Sequence, residues 1–534
     1  MEIIRFLRID NHLIENKPWA VFWVPVVVAF LVRIIYHFLD VPDFWGDSYH
    51  SMYMTWATLE NDWVYSDYKG RHVVWMPFYR YLSTFFIWVF QTYDLIVPQF
   101  LNMILGSITC GVVAVFTARL ADQRMGIFSG IIMALASWHV AYSHMNMPEI
   151  TAMLILILAL YTWSIGKSAW LILLGFAGVL TRNELTLLLG VFGAILLIRQ
   201  QWKPAMYLFI GSVIGLGLWV WWNFAQRGEL FWWIRSRSSG SSWDRHFVIM
   251  QGAYSNDMNI HLIIFLSVIP VIIIPLLFAT EYFPRIKRIP VWKIKELFAL
   301  DVIVVFHWVF LLLMSTEYFT APNGRYWLYS LPLACSVFGI WTFYAKDRYR
   351  NWIIVFSNLI LVATTAFMFF LLNKNHKIYA FHQDMGEYIG TQLPQEANIW
   401  LDFPDILYFS GIDPARAYSS DQLMPIKDRN TAEEERLEYF TERFEKNNIR
   451  YLIASPVSYS IIHFLWPQME ERQPFTWGHY HFTPIFSKFS TVDQKVKKPY
   501  ASWMRYFGGV NKKAVLWRID RLYDSSEVRL TPET

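Results

Sequence analysis

The sequence predicts a polytopic α-helical membrane protein with about 11 transmembrane helices, followed by a C-terminal extracytoplasmic α/β domain. Of the 534 residues, 55% are hydrophobic and only 16% are charged, whereas a soluble protein carries about 25% charged residues. Long apolar runs recur as far as residue 372, and beyond it charges are frequent and apolar runs are short. The chain also has 27 Trp and 29 Tyr, residues that favour the membrane–water boundary.

The transmembrane helices are predicted from apolar runs, because a span needs roughly 20 apolar residues. The candidate spans are residues 19–39, 98–119, 126–144, 149–166, 169–181, 184–199, 204–224, 260–281, 297–316, 325–345 and 352–372. The fifth and sixth are short and are separated by the polar sequence "TRNE", so a single broken hairpin that enters the bilayer partway is an alternative. Residues 76–91 are also short and include Pro77, which favours a helix lying at the interface.

The positive residues of the connecting segments predict the orientation. Lys and Arg collect in alternate loops, and cytoplasmic loops carry such an excess. These loops contain Arg119 and Arg124, Lys167, Arg199 and Lys203, and the basic segments 285–295 and 346–350. The N-terminus is therefore expected in the cytoplasm of a multi-pass plasma membrane protein. The first extracytoplasmic loop is then 40–97, the transmembrane catalytic domain 1–372, and the extracytoplasmic domain 373–534.

The C-terminal segment alternates helical and strand patterns. Helices are predicted at 384–394 and 431–447, and strands at 397–402, 449–455 and 514–520. This alternation predicts an α/β domain with a mostly parallel sheet. No glycine-rich phosphate loop is visible, so nucleotide binding is not predicted.

Composition excludes several classes of function. The net charge of +4 does not suggest nucleic-acid binding. The two cysteines, Cys110 and Cys335, both lie in apolar runs, which rules out a disulfide framework or a cysteine-rich metal site.

Polar residues at the ends of the predicted outer loops are the candidate site. Charged groups at membrane depth are costly and are seldom without a function. Asp47, directly after the first span, is the candidate catalytic residue. The candidate residues for binding the donor phosphate or substrate are Arg71, His72, Glu149, Arg182, Glu184, Arg237, Arg325 and Tyr326. Arginine binds phosphate with a planar fork and a carboxylate can accept a proton, so this set suits a lipid-linked phosphate whose tail lies in the membrane.

Several short motifs resemble the GT-C membrane glycosyltransferases, a class that includes protein O-mannosyltransferases and aminoarabinose transferases. In chain order they are "WGDSYHSMYM", "WMPFYRYL", "MPEITAMLILILALY", "GVLTRNELTLLLG" and "GRYWLYSLPL". The resemblance covers about residues 19–372, and its specificity comes from the order and spacing of the motifs. Many members have two acids in the first loop, whereas Asp47 is followed by Ser48. The "WWDYG" signature of oligosaccharyltransferases is absent, so transfer of a preassembled glycan to asparagine is not expected.

The resemblance implies an inverting glycosyltransferase that uses a polyprenyl-phosphate-linked sugar donor. Asp47 would take the proton of an acceptor hydroxyl as that oxygen attacks the anomeric carbon. The acceptor would be a glycan, a lipid or a protein, and membrane lipids would surround the chain. No metal ligands are assigned, and a divalent cation is left open as a cofactor.

Each candidate residue also has a structural interpretation. Asp47 is a suitable helix cap, and Glu149 is an acid in a first helical turn, where the helix dipole favours it. A purely structural ion pair is the alternative for Arg182 and Glu184, and an interfacial anchor is the alternative for Arg325. His50, His72 and His144 are expected to be polar or hydrogen-bonded residues rather than metal ligands. For the whole chain, the alternatives are a transporter or flippase for a lipid-linked sugar and a membrane-anchored binding module whose α/β domain recognises a glycan or a protein.

The topology predicts which engineered cysteines react from outside the cell. In a variant that lacks Cys110 and Cys335, Ser66→Cys and Ser419→Cys should react with a membrane-impermeant thiol reagent in intact cells. Gln200→Cys should not react, because it lies in a basic loop. Labelling of Gln200→Cys without Ser419→Cys would invert the predicted orientation.

Overall fold

A computed structural model gives the fold of the chain in two compact units. It describes residues 18–39, 46–65, 76–230, 295–314, 328–344, 347–394, 396–401, 403–418, 433–454, 466–489 and 513–522. The helical unit consists of Met1–Val41 and His72–Asn373, and the α/β unit consists of Pro42–Arg71 and Lys374–Thr534. The segment that follows the first predicted span therefore packs with the C-terminal residues.

Most of the described residues are helical. The helices of the helical unit are α1 (Pro18–Phe38), α3 (Pro77–Phe90), α4 (Ile96–Leu120), α5 (Gln123–Leu135), α6 (Ser137–Tyr142), α7 (Glu149–Ser164), α8 (Trp170–Val179), α9 (Asn183–Ile198), α10 (Trp202–Arg227), α11 (Lys295–Met314) and α12 (Leu331–Tyr344), and α13 (Asp347–Gln392) contains the boundary between the units. The α/β unit also contains α2 (Gly46–Glu60), α14 (Pro404–Ser410) and α15 (Glu433–Lys446).

Among the described helices, those of 19–38, 96–120 and 202–226 are long and apolar enough to cross a membrane. Shorter apolar helices occupy Gln123–Leu135, Glu149–Ser164, Trp170–Val179, Asn183–Ile198 and Leu328–Phe343. The predicted span 260–281 lies outside the described residues, so a total of eleven spans stays a prediction. α1 and α10 expose large apolar side chains, including Trp23, Leu31, Phe209 and Trp221, as expected for surfaces that face lipid.

Three predicted helical segments differ from the structure in their boundaries. The predicted span 126–144 is broken at Ala136, whose extended backbone separates α5 from α6. The predicted span 352–372 and the predicted helix 384–394 are both parts of α13. No glycine or proline occurs from Asp347 to Met385, so the polar residues after 372 change the composition without ending the helix.

Glycines allow the helices of the helical unit to approach closely. A Cβ atom on Gly111 of α4 would lie 2.6 Å from Cγ2 of Val26 in α1, and one on Gly126 of α5 would lie 2.5 Å from the carbonyl oxygen of Ala114 in α4. Small residues serve this purpose in membrane helix pairs, where backbones pack by van der Waals contact. Helix α4 therefore packs directly against both α1 and α5.

The α/β unit contains a six-stranded sheet with the order β2-β1-β3-β6-β5-β4. The strands are β1 (Asn398–Trp400), β2 (Ala417–Tyr418), β3 (Ile449–Ala454), β4 (Phe475–Trp477), β5 (Tyr480–Phe489) and β6 (Lys513–Arg521). Alternate residues of β6 enter two different cores: Trp517 packs in a cluster with Phe440 of α15, whereas Leu516 packs in a cluster with Met385 of α13 and Tyr53 of α2. The sheet is therefore covered on both faces, as the period of two along a strand allows.

The prediction of a mostly parallel sheet is wrong. Strand β1 pairs in parallel with β2 and β3, but β3 pairs antiparallel with β6, β5 with β6, and β4 with β5. The sequence-based assignment missed the hairpin of β4 and β5, whose turn contains Gly478 at a φ of +55°, a conformation that glycine adopts readily. Pro484 interrupts β5 at a register shift, where a strand tolerates proline but where its sequence pattern is hard to recognise.

Candidate functional site

Three predicted site residues of the helical unit, Glu149, Arg182 and Glu184, lie together, with Arg182 between the two acids. Its Nε donates a hydrogen bond to Oε2 of Glu184 at 3.1 Å, and its Nη1 lies 3.6 Å from Oε1 of Glu149. Arg182 precedes the first residue of α9 in an extended conformation, with φ of −155° and ψ of 144°. The motifs "TRNE" and "MPE", which are about 30 residues apart in the chain, therefore form one charged cluster, hereafter the arginine–glutamate cluster.

The arginine–glutamate cluster is largely withdrawn from solvent. The Glu149 side chain is 0% exposed, that of Arg182 is 7% exposed, and that of Glu184 is 19% exposed. Buried charges persist only where they are paired, and Arg182 pairs with both acids. Among the described residues, neither carboxylate oxygen of Glu149 has a hydrogen-bond partner. Glu149 thus keeps the capacity to accept hydrogen bonds, while its place in the first turn of α7 also satisfies the dipole interpretation.

A neutral hydrogen-bond network holds the loop that precedes Glu149. Asn102 of α4 is 0% exposed, and its Nδ2 lies 2.5 Å from the carbonyl oxygen of Met145, 2.9 Å from that of Met147 and 2.8 Å from Oη of Tyr79. Tyr79 in turn donates from Oη to Oδ1 of Asn146 at 3.0 Å. Burial raises the pKa of Tyr79, so its phenol stays protonated and can act as a donor.

Helix α3 connects this network to the arginine–glutamate cluster. The backbone N–H of Phe78, in the first turn of α3, donates to the carbonyl oxygen of Leu180 at 2.9 Å. Arg80, two residues further, is 1% exposed and donates from Nη1 to the carbonyl oxygen of Asn146 at 3.4 Å. The start of α3 therefore contacts both loops that contribute to the cluster.

The sequence analysis missed Tyr79 and Asn102. Asn102 is an isolated amide in an apolar run, and such intramembrane polar residues are candidates for a function. Tyr79 lies within the quoted motif "WMPFYRYL", but tyrosines are so numerous in this chain that the motif alone does not single it out.

Arg33 is a second buried cation that the sequence analysis passed over. It lies within α1 and is 0% exposed. Its Nη1 donates to the carbonyl oxygen of Ala29 at 2.8 Å, and its Nη2 lies 2.7 Å from Nδ1 of His139. Nε2 of His144 lies 3.1 Å from the carbonyl oxygen of Arg33, so His144 is a hydrogen-bonded residue, as predicted.

Asp47 belongs to the α/β unit rather than to the helical unit. It is in the first turn of α2 and is partly exposed, while Ser48 beside it is buried. Tyr49 and Tyr53, one turn apart on α2, pack against the rest of the α/β unit. A carboxylate in a first helical turn interacts favourably with the helix dipole, so this position is compatible with a structural role of Asp47 as well as with the catalytic interpretation.

Five predicted site residues lie outside the described residues. They are Arg71, His72, Arg237, Arg325 and Tyr326, and their roles stay predictions. Within the described ranges, no group of three or more His, Cys, Asp or Glu side chains is arranged to hold a metal ion.

The network predicts that Asn102 is critical for stability. In Asn102→Leu the carbonyl oxygens of Met145 and Met147 lose a buried donor, and each unsatisfied group costs about 1–3 kcal/mol. The purified variant should unfold at a lower temperature than the wild type. Ser107→Ala is the matched control, because Ser107 is buried on the same helix but its Oγ bonds only to its own helix at Met103. Equal destabilisation by both variants would contradict the role of the network.

No known family model matches the sequence, and no curated protein matches it either. Solved structures do match its fold. The chain superimposes on ArnT from Cupriavidus metallidurans bound to undecaprenyl phosphate with a TM-score of 0.53 and 12% identity, covering 94% of this chain and 98% of that one. It also superimposes on the Archaeoglobus fulgidus oligosaccharyltransferase in complex with zinc and sulfate, with a TM-score of 0.52, 13% identity and coverage of 81% and 67%.

The architecture of both units agrees with these likenesses, which at such low identity concern the fold alone. The resemblance that the sequence motifs suggested is thereby confirmed at the level of the fold. The chain has the GT-C fold of membrane glycosyltransferases.

Proposed function

We propose that the chain is an inverting glycosyltransferase that moves a sugar from a polyprenyl-phosphate donor to an acceptor hydroxyl at the extracytoplasmic face of the plasma membrane. The observation that carries the proposal is the fold, which covers 94% of this chain and 98% of a structure solved with undecaprenyl phosphate. A dolichol-phosphate complex of the Archaeoglobus fulgidus oligosaccharyltransferase also shares the fold, with a TM-score of 0.50. Both lipids carry a phosphate on a polyprenyl chain, so this class of donor is the one proposed.

The arginine–glutamate cluster supports a role in binding the donor phosphate. The guanidinium of Arg182 is fully ionised and has a planar fork that matches phosphate. Glu184 occupies the edge formed by Nε and Nη2 at 3.1 Å and 3.4 Å. Because Glu184 is more exposed than Glu149, Glu184 is the carboxylate that an incoming phosphate would displace. Glu149 would remain beside Nη1 and limit the net charge of the site.

Asp47 is proposed as the general base. Its carboxylate would accept the proton of the acceptor hydroxyl while the acceptor oxygen forms a bond to the anomeric carbon. The bond from that carbon to the donor phosphate breaks on the opposite side, and the lipid phosphate leaves with the electron pair. This single displacement inverts the anomeric centre and needs no covalent intermediate.

Asp47→Asn should abolish most transfer without preventing folding. Asparagine keeps the shape and caps helices as well as aspartate, but it cannot accept the proton, and a general base contributes about 10²–10⁴-fold. The variant should be compared with the wild type in vesicles that contain a labelled polyprenyl-phosphate sugar and a mixture of acceptors. Wild-type turnover by the Asn variant would restrict Asp47 to capping. Translocation of the donor by the wild type without transfer would identify a flippase instead.

Arg182→Ala and Glu184→Gln should have opposite effects on donor use. Loss of the guanidinium removes a charged hydrogen bond of about 1.5–3 kcal/mol, so the apparent donor KM should rise about 10–100-fold. Glu184→Gln removes the negative charge that competes with phosphate, so the donor KM should fall. If Arg182 serves only to pair with Glu184, both variants will lower the melting temperature and neither will change the donor KM of the folded enzyme.

A further inference from the structure

Helix α13 presents one face to the short helix α14. His382, Gly386 and Gly390 are spaced four residues apart and therefore lie along one side of α13. A Cβ atom on Gly386 would lie 2.6 Å from Cβ of Phe409 and 2.8 Å from the carbonyl oxygen of Ile406, and one on Gly390 would overlap the carbonyl oxygen of Ser410. The two glycines therefore allow backbone contact along the length of α14.

The polar end of this contact is a buried pair. Nδ1 of His382 contacts Oδ2 of Asp405 in the first turn of α14. The His382 side chain is 7% exposed and that of Asp405 is 17% exposed. The pair holds the first turn of α14 against α13, whereas Gly386 and Gly390 allow close contact with its later residues. Because a histidine–carboxylate contact depends on direction, it sets the rotation of α14 on α13 in a way that the glycines alone do not.

Helix α2 rests on another part of α14. The ring of Tyr49 lies 5.3 Å from that of Tyr408 and 5.7 Å from that of Phe409 between centroids. Tyr53 enters the core beside Ile406. Burial raises the pKa of Tyr53, and the nearby Tyr408 and Asp405 raise it further.

From these contacts we infer that His382 and Asp405 are positioning residues for Asp47. Asp47 is two residues before Tyr49 on α2, so it follows any movement of α14 that carries Tyr49 and Tyr53. The His382–Asp405 pair with Gly386 and Gly390 forms a platform for α14, and α14 supports the helix that presents the base. This inference rests on the proposed function for its catalytic consequence, but the docking of α2 can be measured without activity.

Two polar substitutions of His382 distinguish a role of Nδ1 from a role of Nε2. In His382→Asn the amide nitrogen falls near the position of Nδ1 and can still donate to Asp405, whereas in His382→Gln it falls near that of Nε2. We expect kcat to drop about 10–100-fold in His382→Gln, since small misplacement of a catalytic group has that effect. The donor KM should stay within about twofold, and His382→Asn should keep most of the wild-type kcat. Gln383→Leu is the control, because Gln383 is the adjacent residue but is exposed and bonds only to Glu387.

Hydrogen exchange of residues 46–60 in the purified full-length protein provides the second measurement. The protection of residues 46–60 from exchange should fall in His382→Gln and persist in His382→Asn and Gln383→Leu. Residues 449–454 of β3 should stay protected in all three variants. Wild-type protection and kcat in His382→Gln would overturn the inference, and so would lost protection with an unchanged kcat. If the wild type transfers no sugar, the proposed function fails, and selective loss of protection in His382→Gln still supports the platform.

Discussion

The charge of Arg182, buried between Glu149 and Glu184, constrains the arrangement of the helical unit around it. A guanidinium cannot lose its proton in a protein, and a buried ion pair that loses one partner costs about 3–5 kcal/mol. The loop between α8 and α9 must therefore reach the start of α7 before either segment can be buried. The bonds of α3 to both loops follow from the same requirement, because they hold the backbone that carries the charges. This charged part of the described helical unit is thus also a part in which small movements are costly.

In the α/β unit the main constraint is the sheet, and apolar packing rather than charge satisfies it. Its sheet needs cover on both faces, and the second face is completed partly by α2, a segment more than 300 residues away in the chain from the strands that it covers. The burial of Tyr49 and Tyr53 holds α2 on α14, and the contact of His382 with Asp405 holds α14 on α13. Asp47, two residues before Tyr49 on the same helix, is partly exposed. The position of Asp47 therefore follows from the packing of its neighbours on α2.

The sequence predicted the regular features and missed those that depend on distant contacts. Apolar runs located most described helices because membrane burial leaves a local signal, and the motif around Arg182 was recognised because charges in such runs are rare. Asn102 gave only a weak signal, since its contribution to stability depends on hydrogen bonds to carbonyl groups more than 40 residues away in the chain. The pairing of β5 with β6 and the docking of α2 were also out of reach, because neither turn residues nor periodicity specifies which distant surface an element covers.

The division of the α/β unit into two separate chain segments also bears on how such proteins can change. Pro42–Arg71 and Lys374–Thr534 fold as one body although residues His72–Asn373 of the helical unit lie between them in the chain. A recombination event that exchanged only the C-terminal segment would pair one protein's α2 with another protein's α14 and leave Tyr49 and Tyr53 against unmatched surfaces. Substitutions at the contact between α2 and α14 would therefore be selected in both segments together, and the two segments would record a shared history.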